Sequence, residues 1–156
     1  MIKGAIIDET GKYRYQLWRI WDESKPLVVF IMLNPSTADA DEDDPTIRRC
    51  MNYARGWGYG GIKVVNLFAY RATNPTELKI VSDPIGPLNN QYIFDTVNNS
   101  DIVIAAWGTH GNLHNRDKKI IRIFEDKLQY LGLTKDGHPK HPLYLKADLK
   151  PVKWAI

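Results

Sequence analysis

Leu27-Val28-Val29-Phe30-Ile31-Met32-Leu33 is an unbroken apolar run that Asn34-Pro35-Ser36-Thr37 stops at once. A strand with one wet face alternates polar and apolar residues, but this run offers water nothing on either side. It is the pattern of a strand buried on both faces of a parallel sheet. Ile62 to Phe68 repeats it, and Asp101 to Trp107, closed by Gly108, is a third strand of the same kind. The segments between them have helical spacing. Asp44 followed by Pro45 supplies an N-cap and a favoured first-turn proline, after which Ile47, Cys50, Met51 and Ala54 recur up to the Gly58 to Gly61 break. Asp83 to Asn99 contains a helix from about Leu88. Asp117 to Leu131 reads as a helix with a core stripe of Ile120, Ile121, Phe124, Leu128 and Leu131 ahead of Gly132, and Leu143 to Leu145 as part of a fourth strand. Near the N-terminus, Ala5 to Asp8 and Tyr13 to Trp21 flank a Glu-Thr-Gly-Lys turn and predict a hairpin, with Tyr13, Tyr15, Leu17 and Arg19 on one face and Arg14, Gln16 and Trp18 on the other. Strands alternating with helices make this an α/β chain with a mainly parallel sheet.

The composition agrees with a packed core. The 156 residues are 44% hydrophobic and 25% charged, without repeats or a low-complexity linker, so residues 1–156 are read as a single domain. Cys50 is the only cysteine, which excludes an internal disulfide, a CxxC zinc site and a four-cysteine cluster. A reducing, cytoplasmic location is expected. The longest apolar run is too short to span a bilayer, and no signal peptide is visible, so no membrane partner is expected. The net charge of +3 is too small to imply nucleic acid. Five lysines between Thr134 and Ile156, against Asp136 and Asp148, account for that surplus, either as a solvated tail or as a phosphate-contacting tract.

In open parallel sheets, ligands bind outside the carboxyl ends of the strands. Polar residues collect there: Asn34-Pro35-Ser36-Thr37, Asn66 within Val64-Val65-Asn66-Leu67-Phe68, Trp107-Gly108-Thr109-His110, and His138-Pro139-Lys140-His141-Pro142. An asparagine amide inside an apolar strand must be paired. Asn66 therefore either caps a neighbouring loop or faces the crevice and offers a donor and an acceptor to a planar ligand. Asn34 has the same two readings, since Asx-Pro also begins turns. His141 is either a loop histidine or a group that stabilises negative charge on a leaving group. The acidic run Asp39, Asp41, Glu42, Asp43 and Asp44 fails the calcium-loop template, which needs glycine where Asp44 stands and glutamate where Cys50 stands. His110 and His114 lack a nearby acidic third ligand. No metal and no cofactor are assigned.

Taken in order, the strand-end motifs resemble those of the uracil-DNA glycosylase superfamily. Phe30-Ile31-Met32-Leu33-Asn34-Pro35-Ser36 resembles the strand that leads into Gly-x-Asn-Pro-Gly. Val64-Val65-Asn66-Leu67-Phe68, with Arg71, Asn74-Pro75-Thr76 and Glu77, resembles the strand carrying the base-reading asparagine. Ile102 to Gly108 resembles Leu-Leu-Trp-Gly, and His141-Pro142-Leu143 stands where that superfamily has His-Pro-Ser. The chain also resembles an uncharacterised bacterial and phage family that shares Leu33-Asn34-Pro35-Ser36-Thr37-Ala38-Asp39 and Asp43-Asp44-Pro45-Thr46-Ile47-Arg48-Arg49. Here the first motif lacks its glycines, the aromatic that stacks on the base has no counterpart, and Leu143 replaces the serine.

The resemblance implies a three-layer α/β/α domain with a short sheet and a crevice for an extruded nucleotide, since chemistry on a base requires taking it out of the stack. It implies hydrolysis of the N-glycosidic bond of a flipped base, with DNA or a nucleotide as partner. Asn34 would position a water, His141 would stabilise the departing base, and Asp39 is a candidate carboxylate. Pro35, Ser36, Thr46, Asn66, Phe68, Trp107 and Gly108 would contact the nucleotide, and Arg71, His110 and Lys140 the nucleic acid. Two other functions fit the residues: a module that binds a nucleotide or modified base without cleaving it, and a magnesium-dependent nucleotide hydrolase using Asp39 to Asp44.

Overall fold

The structure, a computed structural model, describes residues 1–155. Strands β1 (Ile2–Ile7), β2 (Arg14–Ile20), β3 (Leu27–Met32), β4 (Gly61–Asn66), β5 (Val103–Ala105), β6 (Leu128–Tyr130) and β7 (Val152–Lys153) form one sheet in the order β1-β2-β4-β3-β5-β6-β7. Helices α1 (Pro45–Gly56), α2 (Asn89–Asn98) and α3 (Arg116–Phe124) connect them, with 3-10 turns at Pro75–Lys79, Thr109–Asn115 and Pro142–Tyr144.

The unbroken apolar run is β3, and period-two geometry explains its composition. Val28, Phe30 and Met32 pack on one side with Ile47, Cys50, Met51 and Ala54 of α1. Val29 and Ile31 pack on the other with Ile93 and Val97 of α2 and Ile120 and Phe124 of α3. Each side chain so buried contributes about 1.5 to 3 kcal/mol. The helix start expected at Asp44-Pro45 is present, with the Asp44 carboxylate accepting from the Ile47 N–H at 2.9 Å.

Three expectations are corrected. The sheet is mixed rather than mainly parallel: β4-β3, β3-β5 and β5-β6 are parallel, whereas β1-β2, β2-β4 and β6-β7 are antiparallel. The N-terminal hairpin exists, but β2 also pairs with the edge of β4, satisfying backbone groups that would otherwise be bare. The helix expected over Asp117 to Leu131 stops at Phe124, and Leu128 begins β6 beside Val103. Its apolar stripe suited either structure, and the unpaired edge of β5 decided the matter. Lys127 anchors the intervening turn by donating to the carbonyls of Val97, Asn98 and Ser100. Leu143 to Leu145 is not strand, because Pro142 starts a 3-10 turn in which the Leu145 N–H donates to the Pro142 carbonyl.

Candidate functional site

β3 is the first of the inner parallel strands, and its successors β4 and β5 lie on opposite sides of it. Where a sheet reverses its winding in this way, the loops beyond the carboxyl ends part and leave a crevice. A crevice of about 600 Å³ opens there. Of the residues singled out in the sequence, Asn34, Ser36, Thr46, Asn66, Trp107, Gly108, His110, Lys140 and His141 line it. Side chains 107 positions apart in sequence, Asn34 and His141, thus share one cavity.

Asn34 is held by its own neighbourhood. Its Nδ2 donates to the carbonyls of Pro35 (3.0 Å) and Ala72 (2.7 Å). Both amide hydrogens are used, so Oδ1 is the atom it can offer to the crevice. Asn66, the last residue of β4, is 1% exposed. Asn89, at the start of α2, donates to the carbonyls of Asn66 and Leu67, and Arg116 Nε donates to the Leu67 carbonyl, which together fix the end of the strand. The Asn66 Oδ1 accepts a long, 3.5 Å hydrogen bond from Arg14, and its Nδ2 is buried without a partner in the protein. The amide must be oriented this way, because a flip would set its NH₂ against the guanidinium.

His141 is the N-cap of the Pro142–Tyr144 turn, and its Nδ1 accepts from the Leu143 N–H at 3.2 Å. The proton of the neutral ring is therefore on Nε2. Burial pulls its pKa below the usual histidine value, and the negative charge of Asp44 works in the opposite direction. Gly108 has φ 76° and ψ −161°, a region essentially restricted to glycine. Gly111 allows the following turn to pack on Trp107: a Cβ there would stand 2.3 Å from the indole. Tyr144, 88% exposed, adds an aromatic face to the lining, with its ring centroid 6.5 Å from that of His141.

Four expected site residues are outside the crevice. The Asp39 carboxylate accepts from the N–H groups of Asp41 and Glu42, which lower its pKa, and so shapes its own loop. Pro35 is buried without lining the cavity. Phe68 is buried in the α2/α3 side of the core, because β4 ends at Asn66 and the alternation that would have aligned positions 66 and 68 ends with it. Arg71 turns to the hairpin and donates to the Gly11 carbonyl. Two other acidic residues of this stretch are also engaged: Asp43 pairs with Arg19 at 2.7 Å, and Asp44 accepts from Ile47 and Ala38. Among the described residues no three His, Cys, Asp or Glu side chains are grouped to hold a metal ion.

Arg14 was not singled out in the sequence. It lies in the crevice lining at 2% exposure and donates to the Ala38 carbonyl at 3.1 Å and to Asn66, while its Nε has no partner. The sequence places it only on the hairpin face it shares with Gln16 and Trp18, with no function attached. The available signal was its place between Tyr13 and Tyr15, at the point where the hairpin meets the sheet.

Fold and site define an α/β protein with a crevice, lined by both polar and apolar side chains, at the winding reversal of its sheet. The chain belongs to the family described as Protein of unknown function (DUF1643), whose model matches residues 14–143. No curated protein and no solved structure matches it. Among the described residues no helix is long and apolar enough to cross a membrane.

Proposed function

We propose that the crevice receives a nucleobase extruded from DNA and that the chain hydrolyses its N-glycosidic bond, in a three-layer arrangement like that of the uracil-DNA glycosylase superfamily. The observation that carries this reading is the convergence of Asn34, Asn66 and His141, from three separate chain segments, on one cavity. Asn34 Oδ1 accepts a hydrogen bond from a water and directs it at C1′. The Asn66 Nδ2 donates to a carbonyl oxygen on the base edge. As the C1′–N bond breaks, its electron pair leaves on the base, and the His141 Nε2–H stabilises that charge. Water adds to C1′ and gives its proton to solvent. Asn34 is no general base, so the step is dissociative and slow. Tyr144 provides an exposed face for stacking.

The test is incubation of the chain, in chelator, with oligonucleotides carrying uracil, mismatches and modified bases, followed by cleavage at abasic sites. Abasic product that disappears with Asn34→Ala and with His141→Ala supports the reading, and product that requires added magnesium overturns it. A second reading, binding of a base without cleavage, is favoured by one observation: Asn34 and His141 both spend polar atoms on their own backbone. Retention of the oligonucleotide without abasic product would select it.

A further inference from the structure

Two donors on side chains that line the crevice are buried and without partners, and these side chains touch each other: Nε of Arg14 and Nδ2 of Asn66. A buried polar group left unpaired is costly, and a buried charge left unpaired is costlier. The two Arg14 bonds that the protein does supply go to neutral acceptors, the Ala38 carbonyl and the Asn66 amide. No carboxylate approaches Arg14 within ion-pair distance among the described residues. Asp44, whose negative charge acts on Arg14 and which also lines the crevice, directs both carboxylate oxygens at backbone N–H groups. Acceptors in contact with these donors are what this floor lacks, and among the described residues no carboxylate supplies one.

We infer that the Arg14–Asn66 floor is an oxyanion site, in which Arg14 contacts a negatively charged oxygen of the ligand and Asn66 donates to the same group. The inference rests on the base-binding reading for the identity of that group: the oxygen is that of a base in its ionised form, the form in which a base departs when it takes the bonding pair. Arg14 then acts on the leaving group from the floor while His141 acts from the wall. An oxyanion held by charged and neutral donors on buried side chains is bound more strongly than the same contacts would bind it in solution.

The charged and titratable groups around Arg14 are Asp44 at the start of α1, Cys50 within α1, Arg19 on β2, Arg71 beyond β4, and His141 across the cavity. Burial lowers the Arg14 pKa to about 10, and drives the Cys50 thiol well above its ordinary range. With Arg14 at about 10 and His141 lowered, Arg14 is charged and His141 neutral over most of the range from about pH 7 to 9, where the ionisation of the ligand is followed.

The experiment is calorimetric titration of the full chain with uracil, with its more acidic analogue 5-fluorouracil, and with inorganic phosphate across that range. If the ionised base is the bound form, Kd falls about tenfold per pH unit below the base's own pKa, and the more acidic analogue binds tighter at equal pH. Arg14→Gln flattens that slope and Arg14→Lys retains part of it. A Kd independent of pH, or a slope unchanged in Arg14→Gln, overturns the inference and leaves base binding standing. The slope and the comparison of the two bases are read on the unsubstituted chain and decide whether the ionised form is bound even if Arg14→Gln does not fold, in which case the conservative Arg14→Lys tests the assignment to Arg14. Binding of phosphate through Arg14 with no binding of either base keeps the oxyanion site and overturns its assignment to an ionised base. Failure of all three probes to bind overturns the oxyanion site, while the base-binding reading is decided by the oligonucleotide panel.

Discussion

At Asn66 the chemistry of a single atom separates a structural role from a ligand-reading one. Replacing its unpaired Nδ2 by oxygen in Asn66→Asp places a carboxylate next to Arg14, which keeps the buried floor paired while removing the donor aimed at the ligand. The melting temperature should change little and affinity for a carbonyl-bearing base should fall at least about tenfold, the worth of one hydrogen bond. A large drop in melting temperature with unchanged base preference would exclude Asn66 from the site. His141→Ala should slow cleavage by about 10² to 10³-fold with little loss of binding, as removal of one oxyanion donor does. The same ring carries a stability signature. Its pKa is lowered on folding, so the unfolded chain takes up a proton more readily. The histidine's contribution is complete above the unfolded value of 6.5 and is lost as pH falls through the lower folded value. Melting temperature should decline over that window, and the part of the decline due to this ring should vanish in His141→Ala.

At the scale of elements, the stretch from Ala38 to Asp44 is held from two sides. Arg19, fully buried on β2, pairs with Asp43 and donates to the carbonyls of Asp39 and Glu42. Asp44 at the other end caps α1. Arg19→Met should lower unfolding free energy by about 3 kcal/mol, because it strands Asp43 and two carbonyls at a largely buried site. Asp44→Ala should lower it by about 1 kcal/mol, the worth of an N-cap. Urea denaturation of both variants checks this order, and an Arg19→Met chain as stable as the parent would show that the clasp holds nothing. Elements also account for the misread segment. Ile120, Ile121, Phe124, Leu128 and Leu131 recur at helical spacing, yet Leu128 is strand, because a three-residue pairing leaves no periodicity that could be told from a helix turn.

Across the whole molecule, the crevice mouth is where charge meets the ligand. Lys140 is exposed and lines that crevice beside His141. If DNA is the partner, its affinity should fall with rising salt, and Lys140→Gln should reduce the slope of log affinity against log salt by about one unit. Filter binding at several salt concentrations checks this, and a flat response would leave the C-terminal lysines as a solvated tail.

The residues alone determined which segments are buried and where polar side chains interrupt them. The apolar runs at β3, β4 and β5, the Asp44-Pro45 helix start and the cluster of Asn34, Asn66 and His141 beyond the strand ends were legible because burial on both faces, capping and unpaired amides are local requirements. Tertiary structure alone decided which edges the hairpin and the C-terminal segment would cover, turning an expected parallel sheet into a mixed one. It also decided that Asp39 and Phe68 turn away from the crevice while Arg14 enters it. Pairing of a sheet edge and burial of a charge depend on partners far apart in the chain, and a one-residue end to a strand changes the face on which every later side chain falls.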